Sequence, residues 1–319
     1  MDVAKDMDRR AWRTVPAGMI VDVAPAVDGW ALRGFDWAPP ADVPVRGSLL
    51  FQGGRGDFIE KYIEALTHWH HRGWRLTGFD WRGQGGSGRF LDDPAVGHAD
   101  SFDLWLDDLD AMVGRWLAES PGPHVLAGHS MGGHLVLRLL AERRPAVDAA
   151  VLVSPMLGFS AGPLPAWAVR LIATAACRIG LAERAAWGGG RGPEAMPAHR
   201  ERNLTHSAER YADELWWRAQ HPELAVGAPS WGWLRAGAES MARLAAPGVL
   251  ETVRTPLLIL GTPHDGLVDS AAIVRAAGRL PGARLRMFDD GAHELLRETD
   301  AVRLPALAAI DAFLDEALG

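Results

Sequence analysis

Short apolar runs alternate along this chain with longer segments whose apolar residues recur at three- and four-residue steps. The short runs read as buried strands over 46–51, 74–80, 124–128, 149–154, 256–261 and 284–288. The longer segments predict helices over 58–72, 101–119, 131–143 and 302–318. The clearest is 101–119, where Phe102, Trp105, Leu106, Leu109, Met112, Val113 and Trp116 form one apolar stripe. Strands and amphipathic helices in alternation predict an α/β fold, a mostly parallel sheet with helices on both faces. The rhythm breaks between residues 155 and 246, which hold helical pieces, prolines and the glycine cluster Gly188 to Gly190 but no clear strand. The organisation expected is a sheet domain in two parts, 1–154 and 247–319, interrupted by a helical cap over 155–246. Ligands of open α/β sheets sit outside the carboxyl ends of the strands, so such a cap covers the site.

Composition narrows the function. The chain has 319 residues, 48% of them hydrophobic, enough for a substantial core. Only the first dozen, where Lys5, Arg9 and Arg10 mix with Asp2, Asp6 and Asp8, look non-globular. A formal net charge of -7 without any Lys/Arg run excludes nucleic acid as an expected partner. The single cysteine, Cys177, can form no internal disulfide, and there is no Cys-x-x-Cys pair. No basic stretch followed by an apolar run opens the chain, and the longest apolar candidate, 164–181, is broken by Arg170 and Arg178. A cytoplasmic location is expected, with peripheral membrane contact through 164–181 as an added reading beside plain packing of a cap helix. Of the 14 tryptophans, six (Trp167, Trp187, Trp216, Trp217, Trp231 and Trp233) fall in the presumed cap; Trp231 and Trp233 are candidates to line an apolar substrate pocket, ordinary core packing being the alternative.

Gly128-His129-Ser130-Met131-Gly132 fits G-x-S-x-G and lies between a predicted strand and a predicted helix, the context that motif requires. A nucleophilic serine needs a sharp turn that lifts its hydroxyl above the sheet, small neighbours, and a helix N-terminus facing the developing negative charge. It also needs a base, a histidine steadied by a carboxylate; in folds that carry this strand–turn–helix elbow the chain order is serine, acid, histidine. His293 follows the last strand and precedes the last helix, whereas His199, His206 and His221 fall in the presumed cap. The acid should follow the preceding strand. Asp265 is nearer the strand end, while Asp269 reads as the N-cap of the next helix. The oxyanion donors expected are the amides of Met131 and Gly54, with Arg55 as the neighbouring choice. The glycine-rich loop 82–88 lacks G-K-[ST] and dinucleotide spacing, so no nucleotide is expected.

These residues resemble the lysophospholipase and monoacylglycerol-lipase branch of the α/β-hydrolases. Asp80-Trp81-Arg82-Gly83-Gln84-Gly85-Gly86-Ser87 is similar to its D-x-R-G-x-G-x-S loop, Gly128 to Gly133 to its elbow, and His293-Glu294 to Glu298 to its histidine segment. Asn203-Leu204-Thr205 and Pro229 to Trp233 resemble cap segments of bacterial lysophospholipase L2-type proteins. Many members carry His-Gly where this chain has Gln52-Gly53, which leaves the second oxyanion donor open. The resemblance implies an enzyme hydrolysing single-chain acyl esters, lysophospholipid or monoacylglycerol, without metal or organic cofactor. The alternatives are a small-ester carboxylesterase or thioesterase and, in another class, a non-catalytic binding protein on the same fold. Head group and oligomeric state stay open.

Overall fold

The computed structural model describes residues 11–160, 166–187 and 200–319. The start of the chain, Leu164, the Gly188 to Gly190 cluster and His199 lie outside them. The main sheet has eight strands: β1 (Met19–Pro25), β2 (Ala31–Trp37), β3 (Gly47–Gln52), β4 (Trp74–Phe79), β6 (His124–His129), β7 (Ala149–Val153), β9 (Leu257–Gly261) and β10 (Arg284–Met287). Their order is β1-β2-β4-β3-β6-β7-β9-β10. Pairing is parallel from β4 through β10 and antiparallel where β1 meets β2 and β2 meets β4. Strands β3, β7 and β9 are buried along their whole length, as central parallel strands must be when helices cover both faces. One apolar cluster, around Trp105, Leu135 and Ile259, fills one side of the sheet, and another, around Trp69, Trp74 and Leu307, fills the other.

All six strands expected from the sequence are present, within one or two residues at their ends. Three details differ. The hairpin β1–β2 was not anticipated: β1 leaves four of its seven residues in water, and its apolar run, Met19 to Val21, is short. The helix expected over 58–72 begins as a 3-10 turn, Ile59–Tyr62, and only then becomes α1 (Ile63–His70). The segment expected to lack strands contains β8 (Ala228–Pro229), which pairs with β5 (Val96–Gly97) in a separate two-stranded sheet. Two residues leave no periodicity to read.

The remaining helices are α2 (Asp103–Glu119), α3 (Met131–Glu142), α4 (Ala166–Arg178), α5 (Arg200–Leu204), α6 (Ala208–Gln220), α7 (Trp231–Leu244), α8 (Ser270–Ala277) and α9 (Asp300–Leu318). Helices α4 to α7 all fall between β7 and β9 in the chain. The C-terminal end of α5 is tied to the loop after β10 by two backbone bonds, His293 N–H to Asn203 O (3.2 Å) and Glu294 N–H to Leu204 O (2.8 Å).

Candidate active site

Ser130 sits at the turn from β6 into α3 with φ 52° and ψ -116°, outside the region L-residues prefer. Holding a residue there costs about 1–3 kcal/mol, and the surroundings fix it. A Cβ on Gly128 would lie 2.7 Å from Gly132 C, and one on Gly132 would lie 2.4 Å from Gly53 O, so only glycine fits at either place. The Ser130 amide donates to Val153 O (2.9 Å), and its carbonyl accepts from Met156 (2.9 Å) and His134 (3.0 Å). Ser130 is 9% exposed. Met131 opens α3, so its amide has no partner within the helix and points its partial positive charge outward.

His293 and Asp265 are brought together: Nδ1 lies 2.7 Å from Asp265 Oδ2. The other carboxylate oxygen accepts from the amides of Leu267 (2.8 Å) and Val268 (3.0 Å), which fixes the acid's orientation. The carboxylate can only accept, so Nδ1 carries the proton and Nε2 keeps its lone pair. Burial disfavours the imidazolium, but the charge and hydrogen bond of Asp265, helped by Glu294 and Asp57, outweigh it and raise the His293 pKa. Burial alone would raise the Asp265 pKa, yet His293 and the two amides hold it below the ordinary carboxylate value. Asp269 is the N-cap of α8, accepting from Ala271 N–H at 2.9 Å.

Ser130 and His293 reach the same end of the sheet; the rings of His129 and His293 are 4.8 Å apart. Among the described residues no hydrogen bond joins Ser130 Oγ to His293, a common state of resting sites whose contacts tighten around substrate. The Gly54 expectation needs correction. Its amide donates to Asp57 Oδ2 at 2.6 Å and is not free for an oxyanion. Gly54 does lie against the nucleophile, since a Cβ there would be 3.0 Å from Ser130 Cβ. The next amide, that of Arg55, has no hydrogen-bond partner among the described residues. Trp233 is buried, its ring centroid 5.5 Å from Phe102 and 5.7 Å from Phe159, with the Arg55 guanidinium 5.2 Å from its centre. Trp231 is half-buried on the same core.

Behind the site lies a buried charge cluster that sequence reasoning missed. Asp57 Oδ2 accepts from the Tyr62 hydroxyl (2.7 Å) and lies 3.4 Å from His129 Nδ1, while Oδ1 accepts from Lys61 Nζ (2.5 Å). Lys61 also reaches Glu294 (2.5 Å) and Glu214 (3.1 Å), and Arg297 binds both of those carboxylates. Three of its pairs, Asp57 with Lys61, Glu214 with Arg218 and Glu294 with Arg297, are three or four residues apart, but that these pairs meet depends on the convergence of the segment after β3, helix α6 and the loop after β10. Burial, together with the positive charge of His293, holds His129 below its ordinary pKa despite Asp57. The glycine-rich loop is structural: Asp80 accepts from Gly86 and Ile59 amides at 2.8 and 2.9 Å, and a Cβ on Gly85 would lie 2.4 Å from that carboxylate.

Residues 43–300 match the family described as serine aminopeptidase, S33. The chain belongs to the S33 family. Its S33 membership makes it a serine hydrolase on the α/β-hydrolase fold. Lysophospholipase L2 of Escherichia coli K12 is 33% identical, over 92% of this chain and 91% of that protein. Among solved structures, a soluble variant of monoglyceride lipase from Saccharomyces cerevisiae with a substrate analogue superposes with a TM-score of 0.74, covering 96% of this chain and 98% of that one at 16% identity. A carboxyl esterase from Bacillus coagulans gives 0.72 over 95% and 100% at 14% identity. These two likenesses show that the S33 chain shares their fold. No helix among the described residues is long and apolar enough to cross a membrane.

Proposed function

We propose that this S33 hydrolase cleaves single-chain acyl esters, lysophospholipids or monoacylglycerols, with Ser130 as nucleophile, His293 as base and Asp265 as its orienting acid. The observation that carries the reading is the 2.7 Å Asp265–His293 bond at the sheet end that holds Ser130 in its strained turn. Ser130 Oγ attacks the ester carbonyl as His293 Nε2 takes its proton, and the imidazolium rests against Asp265. The oxyanion meets the Met131 amide and, given the engagement of Gly54, the Arg55 amide. His293 returns the proton to the leaving alcohol, leaving an acyl-serine. Water, deprotonated by the same histidine, then releases the fatty acid. Helices α4 to α7, with Trp233 against the Arg55 guanidinium, act as the cap.

An aminopeptidase reading of the family name fits less well. Holding a substrate's ammonium group needs an uncommitted carboxylate, and Asp57, Glu214 and Glu294 are all taken up in ion pairs. The deciding experiment is hydrolysis of an acyl-ester panel graded in chain length by the protein and its Ser130→Ala variant. Preference for long acyl chains over acetyl supports the lipid reading, and the reverse order supports a small-ester esterase.

A pH profile follows from the electrostatics. Only neutral His293 can accept the serine proton, and its pKa is raised. The acid limb of kcat/KM is therefore expected above the value of about 6.5 of a free imidazole, with activity lost as pH falls through it. A profile flat between pH 5 and 8 would remove His293 as the base.

Helix α4 has two faces. Ala173 and Ala176 are buried, whereas Trp167 is 70% and, just past the helix, Ile179 is 75% exposed, with Leu171 also in water. This favours a lipid surface as the source of substrate, the apolar face resting in the headgroup boundary. Co-sedimentation with phosphatidylglycerol vesicles is expected, weakened more than about tenfold in the double variant Trp167→Glu, Leu171→Glu, because each such side chain is worth about 1.5–3 kcal/mol when buried. Equal sedimentation of both proteins would discard the membrane contact.

A further inference from the structure

We infer that Arg55, with Arg218 and Arg200 behind it, forms a site for the phosphate group of a lysophospholipid head group. The inference rests on the acyl-ester reading above and selects within it the phosphate-bearing substrate over monoacylglycerol.

The first ground is charge count. In the buried cluster Lys61 and Arg297 are matched by Asp57 and Glu294. Glu214 alone then serves both Arg200 (2.9 Å) and Arg218 (3.0 Å). Arg55 forms no ion pair among the described residues; its Nη2 donates to the Gly227 carbonyl at 2.6 Å. Among the described residues the cluster therefore carries two positive charges more than its carboxylates balance, inside a chain whose formal net charge is -7. Desolvated cations without counter-charge are costly, and proteins keep them where an anion arrives.

The second ground is unused donors. Arg55 Nε and Arg200 Nη1 are sealed from solvent and have no hydrogen-bond partner among the described residues, while Arg55 as a whole stays partly open. Arginine's planar fork suits a phosphate's paired oxygens. Burial first, and then the charges of Arg200 and Arg218, push the Arg55 pKa down to about 9, so the guanidinium is both desolvated and beside like charge, and an anion would relieve it.

The third ground is position. Arg55 follows Gly54, which touches the nucleophile, and its guanidinium reaches Gly97 and Trp233 on the side facing α7. Arg218 Nη2 reaches back to the Gly56 carbonyl (3.3 Å), so the arginines bracket the oxyanion loop. In a lysophospholipid the ester and the phosphate sit at opposite ends of one glycerol unit, so an ester at Ser130 calls for a phosphate site close by, and Arg55 is one residue from Gly54, which lies against the nucleophile.

The test compares hexanoyl lysophosphatidylcholine with hexanoyl monoacylglycerol, both below micelle concentration, on the wild-type chain, Arg55→Gln and Arg55→Lys. The ratio of kcat/KM for the phosphate-bearing ester to that for the neutral one is expected to fall about 10- to 100-fold in Arg55→Gln, mostly through KM, and less in Arg55→Lys. A ratio that moves less than twofold, or equal losses on both esters, overturns the assignment. Calorimetry with glycerol phosphate and with inorganic phosphate reads the site without turnover. Binding of glycerol phosphate to wild type that Arg55→Gln abolishes supports it. Absence of that binding, or inorganic phosphate binding as tightly as glycerol phosphate, overturns a head-group site. A wild-type protein that binds glycerol phosphate but hydrolyses neither ester overturns the esterase reading instead, so the two failures are told apart.

Discussion

Ser130→Ala is expected to lower acyl-ester hydrolysis about a million-fold, to the background left by substrate binding and oxyanion contacts. The argument is local. Alanine keeps the Cβ that packs at 3.0 Å from where a Gly54 side chain would begin, and keeps the backbone bonds of residue 130 to Val153, Met156 and His134. It removes only Oγ, which makes no hydrogen bond among the described residues. Alanine meets the same strain at φ 52° as serine does, so melting temperature should not move measurably. Ser154 is the control: it too is buried, has positive φ (45°) and has an Oγ without a partner among the described residues, but it follows β7 and does not sit in the G-x-S-x-G turn. Ser154→Ala should keep activity within a few-fold. Near-full hydrolysis by Ser130→Ala, or loss in both variants, would end the nucleophile assignment.

The parts of this molecule that could be read from the chain are those in which neighbours in sequence carry the signal. The apolar runs of β3, β7 and β9 announce central strands because both faces are covered. The G-x-S-x-G turn announces itself because its residues are contiguous between a strand and a helix, although only Gly128 answers a local crowding, against Gly132, while Gly132 answers one from Gly53. His293 and Asp265 were placed by chain order and strand ends, and they lie 2.7 Å apart. What could not be read depends on convergence. Nothing near Glu214 says that it will meet Lys61 and Arg297, which come from either side of the sheet domain in sequence. The Gly54 amide failed for the same reason. Whether it is free depends on where the Asp57 side chain turns, and that turn is set by Lys61, Tyr62 and His129 together.

That convergence makes Glu214 the most sensitive position outside the reacting groups. Its carboxylate is 1% exposed and receives Arg200, Lys61, Arg218 and Arg297 at 2.9 to 3.2 Å. Replacing one partner of a buried ion cluster costs about 3–5 kcal/mol, because the remaining charges stay desolvated. Glu214→Gln leaves four cations around a neutral amide, so a fall in melting temperature of about 5–15 °C is expected. Lys61 and Arg297 also hold Glu294, the residue after His293, so activity should fall with stability even at temperatures where the variant is folded. The sign with pH is a separate check. Burial alone would raise the Glu214 pKa, but Arg200, Lys61, Arg218 and Arg297 hold it well below the ordinary carboxylate value. Its contribution is therefore complete above about pH 4.3 and is lost as acid protonates it, so wild type should lose stability in acid faster than Glu214→Gln. Exposed Glu223→Gln should change neither quantity measurably. Equal melting temperatures for Glu214→Gln and wild type would mean that the cluster does not hold α6 against the loop of His293.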